Sequence, residues 1–241
     1  EIVLTGINIG TYNYEGLRLT GLIKKLLQET GLERIRISSI EPDLVSDELI
    51  ALIKNEKRVC RHLHIPLQHG SNKILEKMNR HYTVEEYKAL TQKITKQMPD
   101  VCLGADIMTG FPGEDKEDFR TMLNNLKQIP VVHYHVFRYS PKKGTRAYQL
   151  KARPSPKIVK ERARKLRKLG QRKKHQFVSN FKGEILHVLA ERIDEQGVLS
   201  GYSDNFIRVK FRGEEEQVNE IIKVEIDSVE GNILRGPKIR G

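Results

Sequence analysis

The sequence predicts an α/β protein: a parallel sheet of five strand-and-helix units that curves around a polar cavity, followed by a small all-β barrel. Three observations predict it. Strand and helix patterns alternate through the first 140 residues at about 30 residues per unit, the length of a right-handed βαβ crossover. The strands carry apolar residues on one face and polar residues on the other, whereas a flat parallel sheet covered by helices on both sides is apolar on both faces. After Phe177 the helical period stops and short alternating runs take over, as in a closed barrel of OB-like kind.

The elements follow in order. Glu1 to Ile9 is a β-rich run, and Leu19, Leu22, Ile23, Leu26 and Leu27 then recur at helical spacing. Arg34 to Ile40 is the second strand, followed by a helix with Val45, Leu49, Leu52 and Ile53. His62 to Gln68 is the third, and Thr83 with Glu86 makes a capping box ahead of Tyr87, Leu90 and Ile94. Val101 to Met108 is the fourth, before Phe119, Met122, Leu123 and Leu126; Val132 to Tyr139 is the fifth. The pleat sets Leu63, Ile65 and Leu67 against His62, His64, Pro66 and Gln68. It likewise sets Leu103, Ala105 and Ile107 against Gly104, Asp106 and Met108, and Val132, Tyr134 and Val136 against His133, His135, Phe137 and Tyr139. The polar faces line the expected cavity. In the tail, Ile207, Val209 and Phe211 alternate with Phe206, Arg208 and Lys210, Ile222, Val224 and Ile226 alternate with charged residues, and Gly231-Asn232 is a hairpin turn.

Charge is concentrated rather than spread. The 241 residues carry 43 Lys and Arg against 31 Asp and Glu, a net +12. Residues 151–175 hold twelve of the cations, Lys151 first, and a single acid, Glu161. Ile158, Val159, Ala163, Leu166 and Leu169 run through this segment at helical spacing, giving an amphipathic helix with a cationic face that includes Arg164, Lys165, Arg167 and Lys168. A one-sign face repels itself unless a polyanion screens it, and nucleic acid is the expected partner. Phe206, Arg208 and Lys210 offer a stacking ring beside two cations, which suits single-stranded RNA. A solvated helix face and an ordinary charged strand are the alternatives. No apolar run approaches the length of a membrane span. No signal peptide opens the sequence, and two isolated cysteines, Cys60 and Cys102, form no disulfide framework; the expected compartment is the cytoplasm.

Other constellations are less specific. Gly110-Phe-Pro-Gly-Glu114 sits at a strand-to-helix turn whose amides can hold an anion, with a ligand-free tight loop as the alternative. His62 and His64 share a strand face and reach a metal only with partners such as Asp106 or His135; hydrogen-bonding histidines in a polar cavity are the preferred reading, with no metal site. Cys60 and Cys102 are read as small core residues.

Six segments taken together carry more: Glu1-Ile-Val-Leu-Thr-Gly6, Arg36-Ile-Ser-Ser-Ile-Glu-Pro42, His62-Leu-His-Ile-Pro-Leu-Gln-His-Gly-Ser71, Met78-Asn-Arg-His-Tyr-Thr83, Asp106-Ile-Met-Thr-Gly-Phe-Pro-Gly-Glu114 and Tyr139-Ser-Pro-Lys-Lys-Gly-Thr145. In this order they resemble the consecutive motifs of the radical S-adenosylmethionine methylthiotransferases over essentially the whole chain. Ser38 to Pro42 and Leu4 to Gly6 resemble most the branch acting on threonylcarbamoyladenosine beside the tRNA anticodon; the isopentenyladenosine branch is the near alternative. The resemblance implies a partial radical SAM (β/α) barrel over residues 1–150 lacking its first strand, a basic linker helix over 151–176 and a TRAM RNA-binding barrel over 177–241. It implies S-adenosylmethionine as cofactor, with Gly6 near its methionine part, and Ser39 and Glu41 near its sugar or carboxylate. Gln68, Ser71 and Arg80 would face its polar groups, and Asp106 with Gly110, Gly113 and Glu114 its adenine side. It implies tRNA as partner.

The chain departs from the family in one respect. The family ligates a 4Fe-4S cluster with a C-x-x-x-C-x-x-C run, which this sequence does not contain, and clusters need thiolates. The sequence therefore reads as the C-terminal portion of a longer enzyme, unable to complete the chemistry alone. Competing readings are a non-catalytic RNA-binding module and a barrel enzyme holding a phosphate at the Gly110 turn. The polar strand faces speak against the first, and the lack of a Gly-rich run ending in Lys against the second.

Overall fold

The computed structural model describes residues 1–150 and 152–239. Lys151, the first cation of the basic run and the first residue of the expected linker, lies outside the described residues, as do the last two residues of the expected barrel.

Five parallel strands follow one another in chain order. β1 (Ile2–Leu4) leads through an antiparallel ribbon of β2 (Asn13–Tyr14) and β3 (Leu17–Arg18) into α1 (Leu19–Glu29). The ribbon's turn needs left-handed backbone, supplied by Glu15 and Gly16 at φ 50° and 85°. β4 (Ile35–Ile37) pairs with β1 in parallel, Ile2 opposite Ile35. α2 (Asp47–Asn55) follows, capped by the Ser46 hydroxyl, which accepts from the Leu49 amide. Next come β5 (His62–His64), the short α3 (Asn72–Lys77) and α4 (Val84–Gln97), whose predicted Thr83/Glu86 capping box is formed. β6 (Cys102–Thr109), α5 (Lys116–Gln128) and β7 (His133–Arg138) complete the run. β5, β6 and β7 form one parallel sheet. Single bridges from Ile35 to Val59 and from Ser39 to His64 join it to β4, so the strand order is β1-β4-β5-β6-β7, an open half-barrel.

The strands are shorter than their sequence runs. β5 stops at His64 instead of continuing to Gln68, because Pro66 has no amide to donate and Gln68 turns the chain at φ 65°. β1 ends at Leu4, and Ile9–Thr11 is a turn of 3-10 helix. The predicted faces hold for the apolar side: Leu63, Ile65, Leu67, Leu103, Ala105 and Ile107 are all fully buried against the helices. His62 departs from the pattern, being itself buried.

Beyond the small α6 (Arg146–Gln149), the basic segment forms α7 (Pro156–Ser179), started by a Ser155 cap and Pro156 in the first turn. It packs against both neighbouring units. Val159, Ala163, Leu166 and Leu169 are buried, and Gly170 meets the sheet so closely that a Cβ there would stand 2.9 Å from the Tyr134 ring. Farther along, Val178 and Phe181 join a second core with Val188, Leu199, Val209, Phe211, Val224 and Leu234. That core lies inside a six-stranded sheet of β8 (Ile185–Ile193), β9 (Val198–Ser203), β10 (Arg208–Arg212), β11 (Ile221–Glu225), β12 (Ser228–Glu230) and β13 (Ile233–Arg235), ordered β11-β8-β9-β10-β13-β12. A bridge from Val224 to Lys238 joins the segment after β13 back to β11, so the sheet curls onto itself. The Gly231-Asn232 turn stands between β12 and β13 as the sequence predicts.

Candidate functional site

Two ends of the half-barrel carry different chemistry. At the end where the strands start, Arg34 just before β4 and Arg36 on it lie buried and must find partners, since an unpaired buried guanidinium is costly. Both pair with Glu1, and both reach across to the all-β unit. Arg34 donates to the carbonyls of His187 and Tyr202, and Arg36 to those of Ser203 and Asp204. The turn they hold presents Phe206, at φ 59°, to the sheet. Its ring stacks on Tyr202 at 4.7 Å and on His62 at 4.5 Å, with His133 at 5.7 Å and the Arg36 guanidinium at 5.2 Å. The expectation that Phe206 stands outward on a strand face is thus corrected. It precedes β10 in the turn, and its ring is already sandwiched. Arg208 and Lys210 do lie on β10, half-buried. Arg208 bonds the Ser200 and Tyr202 hydroxyls and stacks over the Tyr202 ring.

The other end, where the strands finish, is the open mouth. Gly6 and Ser39 lie exposed just past β1 and β4. Glu41 and Arg80 form an ion pair at 3.1 Å with each side chain about one-third exposed. Gln68 is half-buried at its left-handed turn, its carbonyl accepting from the Met108 amide on β6. Asp106 takes His64 Nε2 at 3.1 Å and His135 Nδ1 at 3.5 Å. Burial opposes its charge, but the two imidazoles hold its carboxyl below the ordinary range. The hydroxyl of Ser38, beside Ser39, is buried without a partner, and so is that of Tyr139 just past β7. Buried polar atoms of this kind need an explanation, and a bound ligand is one.

Four predicted site residues make contacts within the fold. Ser71 is buried and donates its hydroxyl to Asp118 at 3.0 Å. Glu114 is fully buried, accepting from the Gly110 amide, Thr109 and Arg162. Gly110 sits at φ 86°, where a Cβ would stand 2.7 Å from Val159 of α7. The Gly110-Phe-Pro-Gly-Glu114 turn is therefore closed by its own carboxylate, and Gly113, at φ 85°, completes the bend under Lys77. The signal was available: an acid ending a Gly-Pro-Gly turn faces amides that want an acceptor.

The cationic helix face is divided. Arg162 turns inward to Glu114, Lys173 donates to the carbonyls of Leu126 and Ile129 at the end of α5, and Arg167 donates to Val136. Lys165 pairs with Glu161. Arg164, Lys165, Arg167 and Lys168 all remain exposed. A cleft of about 310 Å³ lies between α7, β7 and the β12–β13 turn, lined by His133, Tyr134, Arg167, Lys174 and Asn232. Sequence reasoning missed a second basic stretch. From Phe119 to Lys160 there is no acid at all, and Arg138 at the end of β7, with Lys142, Lys143 and Arg146 beyond it, lies at the mouth.

Among the described residues no helix is long and apolar enough to cross a membrane. A model of the radical SAM superfamily matches residues 1–126. The chain is 38% identical over 225 residues to the threonylcarbamoyladenosine tRNA methylthiotransferase MtaB of Aquifex aeolicus (93% of this chain, 53% of the relative). It is 34% identical over 233 residues to the protein of that name in Bacillus subtilis (94% and 52%). It is 37% identical over 236 residues to the tRNA-2-methylthio-N(6)-dimethylallyladenosine synthase of Endomicrobium trichonymphae (98% and 56%). The chain spans about half the length of the curated relatives it matches. In fold it is similar to the radical SAM enzyme coproporphyrinogen III oxidase of Escherichia coli, with a TM-score of 0.53, 18% identity and coverage of 66% of this chain and 38% of that one.

Proposed function

This chain belongs to the radical SAM superfamily, and from that premise we propose that it supplies the cofactor cavity and the RNA-binding surface of a tRNA methylthiotransferase. The reaction would place a methylthio group on C2 of threonylcarbamoyladenosine next to the anticodon. The isopentenyladenosine reaction is the second reading, because relatives named for each nucleoside match at similar identity. The observation that carries the proposal is the convergence of Gly6, Ser39, the Glu41–Arg80 pair, Gln68 and Asp106 at one mouth of a parallel half-barrel.

S-adenosylmethionine suits this ring. Its amino-acid end is a zwitterion, and Glu41 with Arg80 offers one charge to each half by exchanging a partly exposed internal pair for the ligand. The unpartnered Ser38 and Tyr139 hydroxyls can bond its polar groups. In this class of chemistry the cofactor supplies the methyl group and the radical that activates the substrate carbon. The chain's own residues would bind and orient it. The 4Fe-4S cluster is a different matter. The only two cysteines are buried, and burial pushes both thiols up to about 12, so they do not fit as cluster ligands.

The all-β unit is proposed as a TRAM domain, by its order after the barrel and by its curled sheet. With α7 and the stretch from Arg138 to Arg146 it would hold tRNA phosphates, and Arg164, Lys165, Arg167, Lys168, Arg208 and Lys210 are the proposed contacts. The proposed domain boundaries fall at 150 and 176, with α7 between them packed on both units. A tRNA-modifying role places the protein in the cytoplasm.

A chimera tests the function. Replacing the matching half of the Bacillus subtilis relative with this chain, in a strain lacking that gene, should restore 2-methylthio nucleoside in tRNA digests by mass spectrometry. Glu41→Gln should abolish it. A soluble chimera that modifies no tRNA contradicts the proposal.

A further inference from the structure

The cavity face of the half-barrel carries three metal-type donors on neighbouring strands. His64 ends β5, Asp106 lies in β6 and His135 in β7. Asp106 and His135 are register partners, and His64 lies opposite Gly104. His64 Nε2 and His135 Nδ1 approach the same oxygen, Asp106 Oδ1, at 3.1 and 3.5 Å, and donor atoms of all three residues lie within 4.8 Å of one another. Ligands about 2.1 Å from a shared ion stand roughly 3.0 Å apart on an octahedral edge and roughly 3.4 Å on a tetrahedral one. The two short separations have those lengths.

The backbone prepares the arrangement. A Cβ on Gly104 would stand 2.9 Å from His64 Nδ1, so glycine at this place lets the imidazole lie across β6. Side-chain exposure rises from 12% at His64 through 27% at Asp106 to 47% at His135, so the cluster is seated at one side and open at the other. All three donors sit on strands, and rigid elements hold ligand geometry better than loops.

We propose that His64, Asp106 and His135 bind a divalent first-row transition-metal ion, with its remaining coordination positions open to the cavity. Two imidazoles and one carboxylate suit Zn²⁺, Fe²⁺, Co²⁺ or Mn²⁺, whereas Mg²⁺ and Ca²⁺ prefer all-oxygen sites. Three protein ligands with open positions leave room for a further ligand, unlike a closed structural site. The site stands on this geometry alone, whatever reaction the cavity hosts.

The test uses the 241-residue chain, Co²⁺ as probe and Mg²⁺ as control, read by calorimetry and by the visible ligand-field bands of Co²⁺. One equivalent of Co²⁺ should bind with bands of a mixed nitrogen and oxygen site, and Mg²⁺ should not compete at about a hundredfold excess. Asp106→Asn and His135→Gln should each weaken Co²⁺ by about tenfold or more, as losing one of three ligands requires. His135 is half exposed on the last strand, so His135→Gln keeps the test decisive even if Asp106→Asn does not fold. No saturable Co²⁺ binding, binding that both variants leave unchanged, or equal competition by Mg²⁺ would overturn the proposal and leave a hydrogen-bonded His-Asp-His cluster.

Discussion

Glu114 and Arg162 are both buried and form an ion pair. Replacing Glu114 with Gln keeps the shape of the turn but strands the guanidinium, so urea unfolding should show a loss of about 3 kcal/mol. The pH dependence has a definite sign. Burial opposes the Glu114 charge, but His69, the Gly110 amide and Thr109 outweigh it, so its carboxyl lies below its unfolded value. The stability it contributes is present above the unfolded value of about 4.3 and disappears as pH falls through the folded one. Between pH 5 and pH 3 the native chain should therefore lose more stability than Glu114→Gln. The cysteines make a second test. With thiols near 12, on the order of one in ten thousand is thiolate at pH 8. Iodoacetamide should modify neither Cys60 nor Cys102 in the folded chain and both in denaturant. Rapid modification of either would show a reactive thiol. The Glu114–Arg162 pair and the stacking of Phe206 on His62 were not legible in the sequence, because each joins residues 48 or more positions apart, which no local pattern encodes.

The elements themselves were largely legible, and the reasons are local. Capping boxes, apolar period and strand alternation are short-range signals, and α4 starts where Thr83 and Glu86 predict. Strand lengths were not, since they depend on Pro66 and on the left-handed turn at Gln68. The apolar stripe of α7 was legible from its helical spacing, but the surface it covers was not, because β7 becomes its partner only in the tertiary fold. Gly170 is the contact on which that packing depends. Gly170→Ala should raise helix propensity by about 1 kcal/mol yet lower overall stability, since the new methyl meets the Tyr134 ring. A more stable variant in thermal unfolding would show that α7 is not seated there. The docking turn gives a parallel case. Phe206→Ala should cost about 3 kcal/mol of folding stability through lost stacking on Tyr202 and His62. Loss of RNA affinity at unchanged stability would instead return Phe206 to the base-stacking role the sequence suggested.

At the scale of the whole molecule, the order of units was readable because periodicity changes once, near Phe177. How the units meet was not, although two arginines in the apolar strand Arg34-Ile-Arg-Ile37 announced a buried partner. Their bonds to the turn from Tyr202 to Asp204 tie the all-β unit to the end of the half-barrel opposite the mouth. The proposed RNA surface then runs along α7, whose first turns lie by Gly110 near the mouth and whose last turns join the second core. Each neutralised phosphate adds about 0.7 to 0.9 to the slope of log K against log salt. Among the described residues exposed Arg164 and Lys168 form no salt bridge, while Lys165 pairs with Glu161 and Arg167 donates to the Val136 carbonyl. The most direct measurement is filter binding of an anticodon stem-loop at several salt concentrations. The native chain should bind with a steep negative slope, and changing Arg164, Lys165, Arg167 and Lys168 together to Ala should reduce that slope by about 2 to 3 for all RNAs alike. No retention of the stem-loop at low salt, or an identical slope in the quadruple variant, would contradict the account.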